Sequence, residues 1–313
     1  MRVTLAEAIH LLKQGQVVAI PTETVYGLAA DARNEDALRK IYATKQRPTN
    51  NPLIVHLADI AHVPAWANEF SPLAQKLAQA FWPGPLTLVL PSKPEVSHIV
   101  RASEPTVALR VPAHPLARQL LMESGMGLAA PSANKYTQLS PTTAEHVESS
   151  LGASIPVLDG GACQVGIEST IVSVAGDTWH LLRPGMIDEM AITKIAGKTA
   201  EQNTQHSPKA PGQHLLHYSP HTPCRLFDTR NALKAEAEKQ ANAVALLFGE
   251  AASFPLKHSI TLSNQPHIAA EQLYAALHQL DALGAKLILI ESPPEGTDWA
   301  ALHDRLNRAA YRA

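Results

Sequence analysis

Two rhythms of apolar residues alternate along the first 200 positions. Thr4 paired with Glu7 predicts a capped helix over Leu5–Leu12. Val17–Ile20 is a short unbroken apolar run ending at Pro21 and predicts a buried strand. Asn34 is placed to cap a helix running through Tyr42, and Leu53–Leu57 reads as a strand. Ser71-Pro72 is an N-cap followed by proline at the first helical position, and that helix ends before Pro83-Gly84. Leu86–Leu90 and Val107–Val111 are strand-like, and a helix over Pro115–Glu123 stops at Gly125. Ile155–Leu158 reads as a strand. Ile171–Val174 and Trp179–Leu182 flank Gly176-Asp177 and predict a hairpin. Asp188 opens one more helix, ending near Gly197.

The rhythm stops over residues 198–222, which are polar and hold Pro208, Pro211 and Pro220. That composition predicts a partly extended connection. It then resumes, with strand runs at Ala243–Phe248 and Leu287–Ile290 and helical patterns at Ala269–Leu280 and Trp299–Ala310. Mixed strands and helices predict an α/β layer fold, and the hairpin and many prolines point to a mixed first sheet. The expected organisation is a domain over 1–200, a linker over 201–222 and a small sheet domain over 223–313.

Composition narrows the class. The chain has 313 residues, 45% of them apolar and 17% charged, which excludes disorder as the dominant state. No run approaches the roughly 18–20 apolar residues of a membrane span. Glu7 near the start, with no apolar stretch around it, argues against a secretory leader. The net charge of −2 is evenly spread. Residues 1–200 carry 16 basic and 17 acidic side chains, and 201–313 carry 10 and 11. Bulk charge therefore gives no support to non-specific nucleic-acid binding. Cys163 and Cys224 have no metal or redox spacing and read as reduced thiols of a cytoplasmic protein.

The usual nucleotide signatures are missing. There is no P-loop, and Gly160-Gly161 with Gly166 does not form a dinucleotide fingerprint. A nucleophile elbow is missing as well. Four segments instead carry hydrogen-bonding side chains after apolar runs: Pro21–Leu28; Lys45–Pro48 with Asn51 and His56; Pro131–Asn134 with Ser140-Pro141-Thr142; and Gly166–Ile171 with Leu182–Gly185. Singly, each has an ordinary structural explanation as a helix end, turn or strand edge. Arg110 is harder to dismiss, because a buried arginine in an apolar strand needs an anionic partner. Together, Lys45, Arg47, Arg110 and Arg183 supply cations, while Thr24, Ser132, Asn134, Ser140, Thr142 and Ser169 supply neutral donors. No nucleophile–base pair stands among them. That balance suits positioning and charge stabilisation, as in phosphoryl or nucleotidyl transfer.

These residues fall in motifs that resemble the two-domain threonylcarbamoyl-AMP synthases, the YrdC-like family with a C-terminal extension. The motifs are PTETVYGL, KxRP running to NPL and His56, Phe81–Thr87, Ala108–Pro112 with His114-Pro115, PSAN with SPT, ESTI and LRPG. Pro211-Gly212 with His217–Pro220 resembles that family's linker, and Asp304-Arg305-Leu306 its C-terminal helix. Two departures stand out. Tyr136-Thr137 replaces a common Ser-Gly, removing a glycine suited to φ > 0, and Gln213 replaces a common methionine.

The resemblance implies a YrdC-like twisted mixed sheet followed by a smaller Rossmann-like α/β domain, with the linker as a lid. It implies that L-threonine, bicarbonate and ATP, with Mg2+ carried by ATP and no dedicated protein ligands, give threonylcarbamoyl-AMP and pyrophosphate. Partner transferase proteins would use the product to modify tRNA, which would be bound weakly or only indirectly. Carried over residue by residue, Lys45, Arg47, Asn51, Thr106, Asn134, Ser140, Thr142, Arg183 and Tyr218 would bind ATP. Thr24, His56, Arg110, Ser132 and Ser169 would hold threonine. Lys45, Arg47 and Arg110 would carry catalysis. Two functions compete, an RNA-binding module without adenylate synthesis and a different ATP-using carbamoyl or acyl-adenylate enzyme on the same fold; for the linker, the alternative is a Zn2+ site from His214, His217 and His221, which share a face only on a helix that Pro220 would break.

Overall fold

A computed structural model describes residues 1–201, 208–212, 217–240, 242–250 and 254–311. Its first sheet has ten strands: β1 (Arg2–Val3), β2 (Val18–Ile20), β3 (Gly27–Asp31), β4 (Ile54–His56), β5 (Leu86–Pro91), β6 (Thr106–Arg110), β7 (Leu128–Ala129), β8 (Val157–Leu158), β9 (Thr170–Ala175) and β10 (Thr178–Arg183). Their order is β1-β8-β2-β3-β7-β4-β6-β5-β9-β10. Parallel pairs (β4 with β6, β5 with β9) stand beside antiparallel ones (β5 with β6, β9 with β10), so the sheet is mixed, as expected. Seven helices accompany it: α1 (Leu5–Lys13), α2 (Glu35–Lys45), α3 (Pro72–Phe81), α4 (His98–Arg101), α5 (Pro115–Ser124), α6 (Ala144–Leu151) and α7 (Glu189–Ala196).

The second sheet is smaller and wholly parallel. It holds β11 (Cys224–Phe227), β12 (Ala243–Phe248), β13 (Ser259–Leu262) and β14 (Leu287–Glu291) in the order β11-β14-β12-β13. Three helices cover it: α8 (Arg230–Ala237), α9 (Pro266–Asp281) and α10 (Ala300–Ala309). Every residue of β12 is buried, as a central parallel strand covered on both faces requires.

The helix signals act as the sequence predicts. Thr4 and Glu7 form a reciprocal capping box, and Asn34, Ser71 and Asp188 cap their helices. Several elements differ from expectation. Gly27 and Leu28, read as loop, begin β3. The helix expected to end at Tyr42 runs to Lys45, where left-handed Gln46 (φ 52°) stops it. Trp299 lies in a short 3-10 turn ahead of α10. The pairs β1 and β7 are too short to show a period, so pattern alone does not find them. Three further elements, α6, α8 and β13, are polar enough to read as loop.

The two sheets are not independent bodies. One apolar cluster joins Val25, Leu139, Ile167 and linker Tyr218 to Leu273, Tyr274, Leu302 and Leu306 of the second sheet's helices. Cys163 and Cys224 are both buried and form no disulfide. No helix among the described residues is long and apolar enough to cross a membrane.

Candidate active site

β4 and β6 run parallel with His56 opposite Arg110 in register, so both side chains emerge at the carboxyl ends of neighbouring strands. This is where loops carried by an α/β sheet form ligand sites. The turn at Gly84 adds a carbonyl that accepts from Arg110 Nε at 3.2 Å. A side chain at Gly84 would lie 2.4 Å from the Phe81 carbonyl oxygen, so this turn requires glycine. Arg110 also donates to Thr24 Oγ1 at 2.9 Å and to Glu23 Oε1 at 2.6 Å. Glu23 is thus the anionic partner that the buried arginine needed. Burial pushes the Glu23 carboxyl up, but Arg110 outweighs it and the net shift is downward, so the pair is ionised. His56 is buried, and desolvation with help from Arg110 lowers its pKa to about 3, leaving a neutral ring.

Cations gather at the other end of the cleft. Lys45, in the last turn of α2, donates from Nζ to the carbonyls of Ser132 and Asn134, both at 2.5 Å. Burial, and then Arg47, lowers its pKa well below the usual range. Arg47 follows the Gln46 turn and donates to the Pro52 carbonyl at 3.1 Å. Arg183, the last residue of β10, holds the Ser169 carbonyl from Nε (3.1 Å) and an NH2 (2.9 Å), and donates to Pro211 of the linker at 3.2 Å. Ser169 Oγ is 2.7 Å from Thr87 Oγ1.

Thr24, Arg47, His56, Arg110, Ser132, Ser169, Arg183 and Tyr218 line one cleft together with Glu168 and His217. Pro211, Gly212, His217 and Tyr218 bring the linker onto it. The solvent space left is about 50 Å3, room for a few waters. Among the described residues, four buried polar atoms on or near it have no hydrogen-bond partner: Arg47 Nε, His56 Nδ1, Asn134 Oδ1 and Tyr218 Oη. Buried donors and acceptors are almost always paired, so such a cluster marks a place where a ligand supplies the partner.

Comparisons with known proteins give the family. The Sua5–YciO–YrdC family model, described as "Telomere recombination", matches residues 10–185, and a model described as "Threonylcarbamoyl-AMP synthase, C-terminal domain" matches 184–311. The Bacillus subtilis threonylcarbamoyl-AMP synthase is 40% identical, with 98% of this chain and 92% of that one covered. The chain belongs to the threonylcarbamoyl-AMP synthase family. Its Schizosaccharomyces pombe relative is 35% identical over 99% of this chain and 88% of its own. The crystal structure of Pyrococcus abyssi Sua5 complexed with L-threonine superposes with a TM-score of 0.90 at 33% identity, covering 99% of this chain and 96% of that one. A protein of this family is an enzyme of the nucleotidyl-transferase class.

Other residues singled out in the sequence lie behind the cleft wall. Asn134 holds its own loop, donating from Nδ2 to the carbonyls of Lys135 and Gln138. Ser140 donates to Glu168 at 2.5 Å, and Thr142 Oγ1 lies 3.3 Å from His146 Nδ1. Lys45, Asn51 and Thr106 do not line the cleft either. Asn51 is half-buried and its carbonyl accepts from Tyr42. Thr106 begins β6 at the end opposite Arg110. His214 and Gln213 lie outside the described residues. His217 faces the cleft while His221 turns to Asp281 at 3.1 Å, and left-handed Tyr218 (φ 58°) separates them, so these two histidines share no helix face.

Sequence reasoning missed Glu23 and Glu168. Their only signal was a carboxylate inside a hydroxyl-rich motif that borders a strand. Their partners lie 87 and 137 residues away, which no local pattern reveals.

Proposed function

We propose that this protein joins L-threonine, bicarbonate and ATP into threonylcarbamoyl-AMP and pyrophosphate, the first step of making threonylcarbamoyladenosine in tRNA. The observation that carries the reading is the cleft itself. Arg47 and Arg183 are buried in its lining, Lys45 is buried nearby on the carbonyls of Ser132 and Asn134, and Arg47 Nε and Asn134 Oδ1 have no partner. The carboxylate nearest these cations, Glu168, is held by Arg305. Buried positive charge left uncompensated is costly, so this end is built for a polyanion. The other end offers Arg110, already neutralised by Glu23, and neutral His56. That suits the carboxylate, hydroxyl and amine of a small amino acid.

The chemistry follows. The threonine amine adds to the carbon of CO2 and loses a proton, or adds to bicarbonate with loss of water, and becomes a carbamate. A carbamate oxygen attacks the α-phosphorus, and the bond to the bridging oxygen breaks. Pyrophosphate leaves with the electron pair. Lys45, Arg47 and Arg183 would stabilise the charge growing on that oxygen. Asn51, Asn134, Ser140, Thr142 and Tyr218 would complete the nucleotide side, with Thr106 the least supported of the set. Thr24, His56, Arg110, Ser132 and Ser169 would orient threonine. The carboxylates of the cleft, Glu23 and Glu168, are both engaged by arginines, so Mg2+ would enter on ATP as part of the substrate and help screen the phosphates. Tyr218 and the linker would shield the mixed anhydride from water. Transferase proteins would then take the product to tRNA.

The test is pyrophosphate release from ATP, Mg2+ and bicarbonate with each amino acid in turn. Release that requires threonine is expected. Release indifferent to the amino acid, or tRNA binding without turnover, would overturn the reading.

A further inference from the structure

At the cleft wall lies a buried polar cluster whose carboxylate the reaction scheme does not use. Its centre is Glu168, immediately before Ser169. Glu168 accepts from Ser140 Oγ at 2.5 Å, from Tyr274 Oη at 3.0 Å and from Arg305 Nε at 2.8 Å. Ser140 belongs to the first sheet's loops, but Tyr274 is on α9 and Arg305 on α10, both helices of the second sheet. Arg305 and Tyr274 are fully buried. The Arg305 guanidinium also lies over the Tyr218 ring, 4.9 Å from its centroid, and the Tyr218 and Tyr274 rings are 6.0 Å apart. The two halves meet here without a gap. A side chain at Gly166 would lie 2.4 Å from the Glu271 backbone of α9, so glycine permits the approach.

The charges give this cluster a purpose. Burial pushes the Glu168 carboxyl up, but Arg305 first and Arg183 second pull it net downward, so it is a carboxylate. The same carboxylate acts electrostatically on Arg183, which lines the cleft, and on Lys45, buried beside it. A carboxylate loose at this point would compete with a phosphate for both.

We propose that Arg305 and Tyr274 are positioning residues for the reaction. They hold the Glu168 carboxylate fixed at the cleft wall, keep Lys45 and Arg183 available to the nucleotide, and seat the Tyr218 ring. The second domain thus completes the back wall of the nucleotide half of the site. The proposal rests on the reading that the cleft binds ATP.

The test replaces Arg305 and reads the two substrates separately. Arg305→Met should weaken binding of a non-hydrolysable ATP analogue by about tenfold or more, raise the KM for ATP in step, and leave the KM for threonine within about threefold. Adding Glu168→Gln removes the competing charge and should recover most of the ATP affinity. A merely structural arginine would give no such recovery. Tyr274→Phe keeps the packing and removes one donor to Glu168, so it should shift ATP affinity about threefold in the same direction. It decides the matter if Arg305→Met fails to fold. Unchanged ATP affinity in Tyr274→Phe or in folded Arg305→Met, equal losses for both substrates, or no recovery in the double variant would overturn the proposal. Analogue binding does not depend on turnover. A wild-type protein that binds ATP but ignores threonine would count against the reaction and leave the Arg305 result standing.

Discussion

Arg110 shows how a single residue can be read correctly in kind and incompletely in partner. Its place in an apolar strand demanded a counter-charge, and Glu23 supplies one at 2.6 Å. Three of its five N–H groups are held by Glu23, Thr24 and Gly84. One N–H on each terminal nitrogen is left over for a ligand carboxylate. Truncation to alanine would therefore mix two effects, because it would leave Glu23 buried and unpaired at a cost of about 3–5 kcal/mol. Arg110→Lys separates them. It keeps the charge beside Glu23 and loses the fork. The expected outcome is a KM for threonine raised about tenfold, with the KM for ATP nearly unchanged. Steady-state kinetics with each substrate varied checks this, and a matching rise in both constants would remove Arg110 from the threonine half.

At the scale of elements, legibility followed length and period. The run Ala243–Phe248 was bounded correctly because a central parallel strand is apolar throughout. Capped helices were equally clear, since a cap such as Ser71-Pro72 is a local event. Two-residue strands such as β7 have no period to detect, and their existence depends on neighbours distant in sequence. The loss of glycine at Thr137 was a readable departure. The backbone there keeps the left-handed form that glycine would favour, with φ 68°. It does so because the loop is fixed on both sides. Tyr136 N donates to the Lys45 carbonyl at 2.8 Å, and the Thr137 carbonyl accepts from Ser219 N of the linker at 2.9 Å. A β-branched residue in this region is strained by about 1 kcal/mol or more. Thr137→Gly should therefore raise the thermal midpoint by roughly 2 °C and leave ATP kinetics intact. A lowered midpoint, measured by calorimetry, would show that threonine is not strained there.

The whole molecule is two sheets joined by a linker, with the linker on the first half's cleft and an apolar core shared between the halves. The sequence made the two halves and the polar connection visible through composition. It did not show that the halves share a core, because Tyr218, Tyr274 and Leu306 become neighbours only when α9 and α10 pack against the first sheet's loops. That packing is what turns a set of separately ordinary motifs into one enclosed site. The central claim is that a carbamate of threonine displaces pyrophosphate inside it. The most direct measurement supplies 13C-bicarbonate with ATP, Mg2+ and threonine and identifies the nucleotide product by mass spectrometry. The account predicts AMP carrying threonine and one labelled carbon, formed in the same amount as pyrophosphate. Pyrophosphate accompanied by unlabelled threonyl-AMP, or by AMP alone, would contradict it.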